Sequence, residues 1–553
     1  MGLYKIETFN AAEELIRSEE QVFEIGGKFR FRVSDRLRQE AGSRITIKTQ
    51  IPIYDLHGYW NPDLDRPRMK LDWYFEFYSA LNKNFPFITF FNVSHQNRCS
   101  IWSNNGIDDA LFKFSMNQEA GCFNVAITYT LAPETQEFEI NFDFSERPWS
   151  EVLDECREAL KPATTLSYPE TAWQPVFCTW YAVHADFDSD WLRQCAKSAA
   201  KLGFSSFIVD DGWSYPEHKR VSPQTLPSWY KDIGDWRVCP EKLADFKSVV
   251  TEAQAAGLKY MLWVAPFFVG DNHINTDEKL IWRQTKSNGC CSPAGEYAAK
   301  AMEQIVNLMR DYNLNGVKID FLDSAVADLN TPLGREANTY ITELSAAIRA
   351  VKPDAMMEYR QHYISPCLLD KATQFRAGDV PFDFVENLMR IAAIRLSVGD
   401  GVPVHADPAY WRDDELDENV SRHLIAAINA VPMLSMDLDK ISAGHRQIIK
   451  HWINFYKTKL PTFQKGHWTI KYKGELVSYI AVNDGREAVI TLCDELRLPE
   501  AMNDMNELDE VAVLNISPSP VKFEYGEVFD CMGNKLESKY IPVGGRGLIA
   551  LAR

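Results

Sequence analysis

In the run GVKIDF, residues 316–321, Lys318 and Asp320 interrupt an otherwise apolar segment two positions apart. Alternate side chains of an extended strand share a face, so the pair projects together while Val317 and Ile319 face the other way. Unpaired buried charge is costly, so this spacing implies a use. Polar groups close other short apolar runs in the same manner: Asp210 and Asp211 in SSFIVDD, Arg376 and Asp379 in QFRAGD, His405 and Asp407 in VPVHAD. One such aspartate can be a helix cap; four strand ends of this kind on one rim point to chemistry. Two carboxylates flanking a bond, one a nucleophile and one an acid/base, are what glycoside hydrolysis requires, and Asp320 and Asp379 are the candidate pair. Two strand positions apart, their backbones stand about 10 Å from each other, and inward-leaning side chains can close this toward the roughly 5–5.5 Å of a retaining site. Lys318 is expected to keep Asp320 ionised. The rival chemistry is a metal centre on His405, Asp407 and Asp320. No further histidine or glutamate cluster completes it, so neither metal nor cofactor is expected.

The elements that must bring these residues together repeat along the middle of the chain. Eight strand-like runs occupy 176–183, 205–211, 259–266, 316–321, 355–360, 374–379, 402–407 and 432–438. Amphipathic segments such as SDWLRQCAKSAAKLGF and EYAAKAMEQIVNLMRDYNL separate them, which is the pattern of βα units on a parallel sheet. Only the link QHYISPCLLDKAT, between the fifth and sixth runs, is too short for a long helix. The count of eight predicts a (β/α)8 TIM barrel, whose catalytic groups sit on the rim at the C-terminal strand ends. An open doubly wound sheet would call for a glycine fingerprint that the chain lacks.

The flanks alternate with a period of two and are rich in β-branched and aromatic residues, as in SRITIKTQIPIYD and HWTIKYKGELVSYIAV. The expected organisation is an N-terminal antiparallel β domain, a sandwich, over 1–165, the barrel over 166–460, and a small C-terminal β-sandwich over 461–553. At 553 residues the chain exceeds what one core can hold. With 46% hydrophobic and 25% charged residues it is globular, and a net charge of −18 excludes a nucleic-acid partner. The 11 cysteines form no CxxC pair, so reduced thiols and a cytoplasmic location are expected. The N-terminus lacks the apolar core of a signal peptide, Gly2 lacks the context for myristoylation, and no run approaches the ~20 apolar residues of a membrane span. No membrane partner is expected; self-association stays open.

Taken together and in order, FIVDDGW, KDIGDWRV, LWVAPF, GVKIDF and the Arg–Asp pair of FRAGD resemble the retaining α-galactosidase clan, glycoside hydrolase family 36 above all. The resemblance covers about residues 174–440. It implies a barrel between β domains and an exo-acting α-galactosidase that works by double displacement on an oligosaccharide or glycoside, without a cofactor. It assigns Asp320 as nucleophile, Asp379 as acid/base, and Lys318 as a contact to the sugar. Asp210 and Asp211 align with the pair binding the 4- and 6-hydroxyls, Trp263 and Trp180 with aromatic positions around the −1 pocket, and Arg376 with an arginine near the glycone. Asp235 and Trp236 of IGDW are expected at the pocket mouth. Trp60, with His57 and Tyr59, either reaches over that mouth, as an N-terminal loop does in relatives, or packs in a core.

Two departures stand out. The Arg376–Asp379 spacing is one residue shorter than the family's, which keeps Asp383 as a second acid/base candidate. The fifth run ends in EYRQHY, where relatives carry small residues or a cysteine near the 2-hydroxyl. Arg360 there either pairs with Glu358 or a rim aspartate, or selects an acidic or otherwise modified glycone through its forked guanidinium. A non-catalytic carbohydrate-binding relative is the remaining alternative.

Overall fold

The computed structural model describes residues 2–23, 28–39, 42–273, 282–283, 287–327, 332–503, 505, 508–524 and 526–550. The last three residues of the expected C-terminal strand lie outside them.

The eight runs form eight parallel strands: Val176–Cys178, Ser206–Val209, Lys259–Val264, Gly316–Ile319, Met356–Arg360, Gln374–Arg376, Val404–His405 and Met433–Leu434. The first seven pair with their neighbours in chain order, and the eighth pairs with the first through Val176↔Met433. A bridge between His405 and Val431 brings the seventh and eighth together, so the sheet nearly closes into a barrel. The helices between strands bury one apolar stripe each. Ser189–Leu202 is typical: Leu192, Cys195, Ala196, Ala199 and Leu202 are buried, and Asp188 caps its start by accepting from the Trp191 N–H at 2.8 Å. Gly203 ends it at φ 97°, a left-handed conformation that glycine takes without steric penalty. Between strands five and six there is only the 3₁₀ turn Pro366–Leu368, as the short link required.

One run folds differently from its expectation. VFCTWYAV continues as a strand only to Cys178, and Trp180–Val183 turns into a short helix. A short apolar run does not by itself distinguish strand from buried helix. Here the Val183 and His184 N–H groups close back on the Thr179 and Trp180 carbonyls.

Before the barrel, a six-stranded and a five-stranded antiparallel sheet face each other. Ile45, Ile47, Phe112, Phe114 and Ile127 of the first meet Ile88, Phe90, Phe138 and Ile140 of the second in one buried core. The helix Trp149–Leu160 leads from these sheets to the barrel. After the barrel comes a seven-stranded sheet, antiparallel except for the pair Glu487–Leu492 and Glu510–Asn515. Its buried residues Val477, Ile480, Val482 and Leu514 join the barrel's own hydrophobic cluster. Among the described residues no helix is long and apolar enough to cross a membrane.

Candidate active site

Strand four delivers Asp320 to the rim one residue after Ile319, 6% exposed and with its N–H bonded to the Val264 carbonyl at 2.8 Å. Its oxygens are held from three sides. Trp263 Nε1 donates to Oδ2 at 3.0 Å, the Phe321 N–H donates to Oδ1 at 2.8 Å, and Arg360 Nε also donates to Oδ1. Burial alone would push this carboxyl up. The charges of Arg360, Lys318 and Arg376 outweigh it and hold Asp320 well below the usual carboxylate range. Phe321 takes a left-handed φ of 55° and stacks on Phe268 with ring centroids 4.4 Å apart. Such a backbone is uncommon in a non-glycine residue, and residues of this kind cluster at functional sites.

Lys318 acts on Asp320 as expected, but its direct partner is another acid: its Nζ lies 2.5 Å from Asp210 Oδ2, at the end of strand two, which is separated from strand four by strand three alone. Its influence on Asp320 is exerted through space, behind that of Arg360. Asp210 Oδ2 also accepts from Cys178 Sγ at 3.2 Å. Asp211 Oδ2 accepts from Trp229 Nε1 at 2.7 Å and from the Tyr215 hydroxyl at 3.1 Å, while Oδ1 is buried without a partner among the described residues. Burial pushes the Asp211 carboxyl up to about 6.

Arg376 is 1% exposed and links strands six and seven. One terminal nitrogen donates to Asp379 at 3.0 Å and to Asp407 at 2.6 Å, while its Nε and other terminal nitrogen make no hydrogen bond. The Asp379 side chain is 57% exposed to water. Burial raises its affinity for a proton, but Arg376 and Lys318 bring it net below its ordinary value, and Asp320 acts against them. Asp320 and Asp379 thus lie within electrostatic reach of each other. Asp407, fully buried, also accepts from the Tyr181 hydroxyl and the Val380 N–H, and burial pushes it up to about 7.

One sequence expectation, for Trp236, meets a different arrangement, and Asp383, Trp60 and the rival metal set, all left as alternatives, take structural places. Asp383 caps the helix Phe384–Val398, accepting from the Val385 and Glu386 N–H groups at 2.9 Å each. Trp236 is not at the mouth: it is 1% exposed and packs 5.9 Å from Trp263 and 6.2 Å from Trp213. Trp60 is fully buried, stacks on Trp149 at 5.3 Å and donates to the Leu64 carbonyl, so it belongs to a core beneath the N-terminal sheets. Of the proposed metal ligands, His405 faces the Ala172 carbonyl and Glu358, both at 2.8 Å, while Asp407 serves Arg376; they do not converge with Asp320. Trp180, half-buried on the helical turn after strand one, meets Trp229 edge-on at 5.5 Å and borders the Asp211 side of the site. Arg360 pairs with Asp320 and, at 3.7 Å, with Asp323, not with Glu358.

Two participants escaped the sequence reading. Tyr230, in the loop after strand two, meets the ring of Phe321, the residue after Asp320, edge-on at 5.6 Å; burial, and then the charges of Asp211, Asp320, Asp379 and Asp210, push its hydroxyl up. The aromatic pair of PSWYKDIGDW, six residues before the Trp236 that was singled out, was the available signal. Asp65, in the segment following Trp60, accepts from Gln361 Nε2 at 2.7 Å, bringing the N-terminal region to the end of strand five. A separate groove of 690 Å³ on the C-terminal sheet, lined by Leu496, Leu498, Met502 and Ile549, has no comparable convergence of polar groups.

Residues 143–285 match the family model described as Melibiase, which spans the first three barrel strands. α-Galactosidase Mel36A of Lactobacillus acidophilus is 27% identical over 268 residues, 45% of this chain and 33% of that protein. α-Galactosidase 2 of Hypocrea jecorina is 32% identical over 112 residues, 19% of this chain and 14% of its own length. The chain thus aligns with a third or less of these curated relatives. The structure of a family 36 α-galactosidase AgaA variant from Geobacillus stearothermophilus with 1-deoxygalactonojirimycin superimposes with a TM-score of 0.63 at 16% identity, covering 92% of this chain and 78% of that one. A further AgaA variant, in complex with raffinose, gives 0.62. In its barrel motifs and family-model match this chain resembles the glycoside hydrolase family 36 α-galactosidases, and it shares their fold.

Proposed function

We propose that the protein is a retaining α-glycoside hydrolase, an exo-acting α-galactosidase in the first instance, that cleaves an oligosaccharide or glycoside by double displacement. The observation that carries this reading is Asp320: buried, ionised, gripped by Trp263, Phe321 N–H and Arg360, and coupled to Asp379 across the site. Asp320 attacks the anomeric carbon as Asp379 protonates the departing oxygen; Asp379 then deprotonates the water that releases the sugar from the Asp320 ester. Asp379 begins ionised beside Arg376, so it must gain a proton before the first step. Expulsion of water by the bound sugar favours that, since burial raises a carboxyl's proton affinity. The half-satisfied Asp211 and the Lys318–Asp210 pair supply acceptors and a donor for sugar hydroxyls, and Trp263 and Trp180 supply apolar walls. The capping role of Asp383 favours Asp379 as the acid/base.

The test is hydrolysis of an aryl α-galactoside followed by NMR of the first-formed sugar. Release of the α-anomer, abolished in Asp320→Ala, is the expected result. A β-anomer first, or full activity in Asp320→Ala, overturns the mechanism.

A further inference from the structure

Arg360 is held in an unusual manner for a residue touching a catalytic carboxylate. Only Nε is spent on Asp320. Its terminal nitrogens make no hydrogen bond among the described residues; one of them stands 3.7 Å from Asp323 Oδ1, beyond hydrogen-bond range. The guanidinium is fixed in orientation by the Phe321 ring, 5.0 Å from its carbon, and by Tyr363 at 5.9 Å. At 16% side-chain exposure it is reachable, and its charge acts on Asp379 across the site. A planar cation with Nε anchored and the opposite edge free is the geometry that takes a carboxylate or sulfate through two parallel N–H···O bonds. Of the nearby anions, Asp210 is already paired with Lys318 and Asp407 with Arg376; Asp323, 3.7 Å from one terminal nitrogen, is the group an incoming anion must meet, and burial raises its affinity for a proton, so it can be neutralised as that anion arrives.

We propose that Arg360 is a specificity residue whose free guanidinium edge receives an anionic substituent of the glycone, so that α-glycosides of acidic sugars, uronates or sugar sulfates, are preferred substrates. The proposal rests on the glycosidase reading above. In it, Arg360 bridges two anions, Asp320 through Nε and the substituent through its terminal nitrogens. A neutral sugar leaves that edge unused.

The test compares aryl α-galactoside, aryl α-galacturonide, and the 2- and 6-sulfated aryl α-galactosides, all with the same leaving group. At least one anionic substrate is expected to exceed the neutral one about tenfold in kcat/KM, and which one separates carboxylate from sulfate recognition. Arg360→Gln, which keeps a donor near Asp320 but removes charge and fork, is expected to slow every substrate yet shrink the anionic-to-neutral ratio about tenfold or more. Calorimetric titration of the unaltered protein with galacturonic acid against galactose reads the same preference without a variant. A neutral preference in the unaltered protein, or an equal loss for all substrates in Arg360→Gln, overturns the proposal and leaves Arg360 acting only on Asp320. Absence of turnover for every glycoside overturns the hydrolase reading itself, a different outcome.

Discussion

Asp211 keeps one oxygen bonded to Trp229 and Tyr215 and the other buried with no partner among the described residues, a state that serves a ligand at the expense of stability. Its carboxyl, pushed up from 3.8 to about 6, binds a proton more tightly folded than unfolded. Its contribution is therefore present at low pH and is lost as pH rises through about 6. Asp211→Asn removes this penalty. Melting curves should show the variant more stable above pH 6, by at most about 3 kcal/mol, with the gain gone at pH 4. Turnover should fall, because the acceptor for a sugar hydroxyl is lost. Asp379 and Asp383 separate by a different measurement. Asp379→Ala should slow glycosides with high-pKa leaving groups far more than activated aryl ones, since only the former need protonation. Asp383→Ala should cost about 1 kcal/mol of stability through the lost helix cap and leave that leaving-group dependence unchanged.

At the scale of elements, the site depends on how strands four and five lie together, because they carry Asp320 and Arg360. Their register sets Gly316 against Met356, and a Cβ on Gly316 would stand 2.2 Å from the Met356 carbonyl oxygen. Gly316→Ala must therefore part the two strands at their base. Thermal unfolding should register a loss of more than about 2 kcal/mol, with turnover reduced even where the protein remains folded. The loops add what the strands cannot. The loop after strand two supplies Trp229 and Tyr230, and Asn82, from the N-terminal region, donates to the Leu322 carbonyl in the turn that follows Asp320.

Across the whole molecule, the distribution of cores differs between the two ends. The N-terminal sheets enclose a core of their own, from Tyr4 to Phe142, whereas the C-terminal sheet buries one face in its own core, with Ile490, Val513 and Ile541, and the other in the barrel's cluster. Expressed alone, residues 1–160, which keep the helix Trp149–Leu160 over Trp60, Phe87 and Trp102, should give a cooperative melting transition. A chain stopped at 460 should aggregate, since it bares the surface that Trp468, Ile480, Val482 and Leu514 cover. A soluble, cooperatively melting 1–460 fragment would contradict this account of the core.

Eight apolar runs, their helices and the acids at their ends are local patterns, set by the side-chain periods of strand and helix, and the sequence alone determined them. It also determined the order of the family motifs, and hence the fold. Partner choice was beyond it. Lys318 and Asp320 share a strand face, yet the lysine pairs with Asp210, 108 residues away in the chain, and Arg360 takes the place beside Asp320. Trp60 and Trp236 carry the same aromatic signal as Trp263, but of the three it is Trp263 that donates to Asp320. Which of several like residues lines a cavity depends on strand tilt, loop path and the packing of separate domains. Those are properties of the closed barrel, not of spacing along the chain.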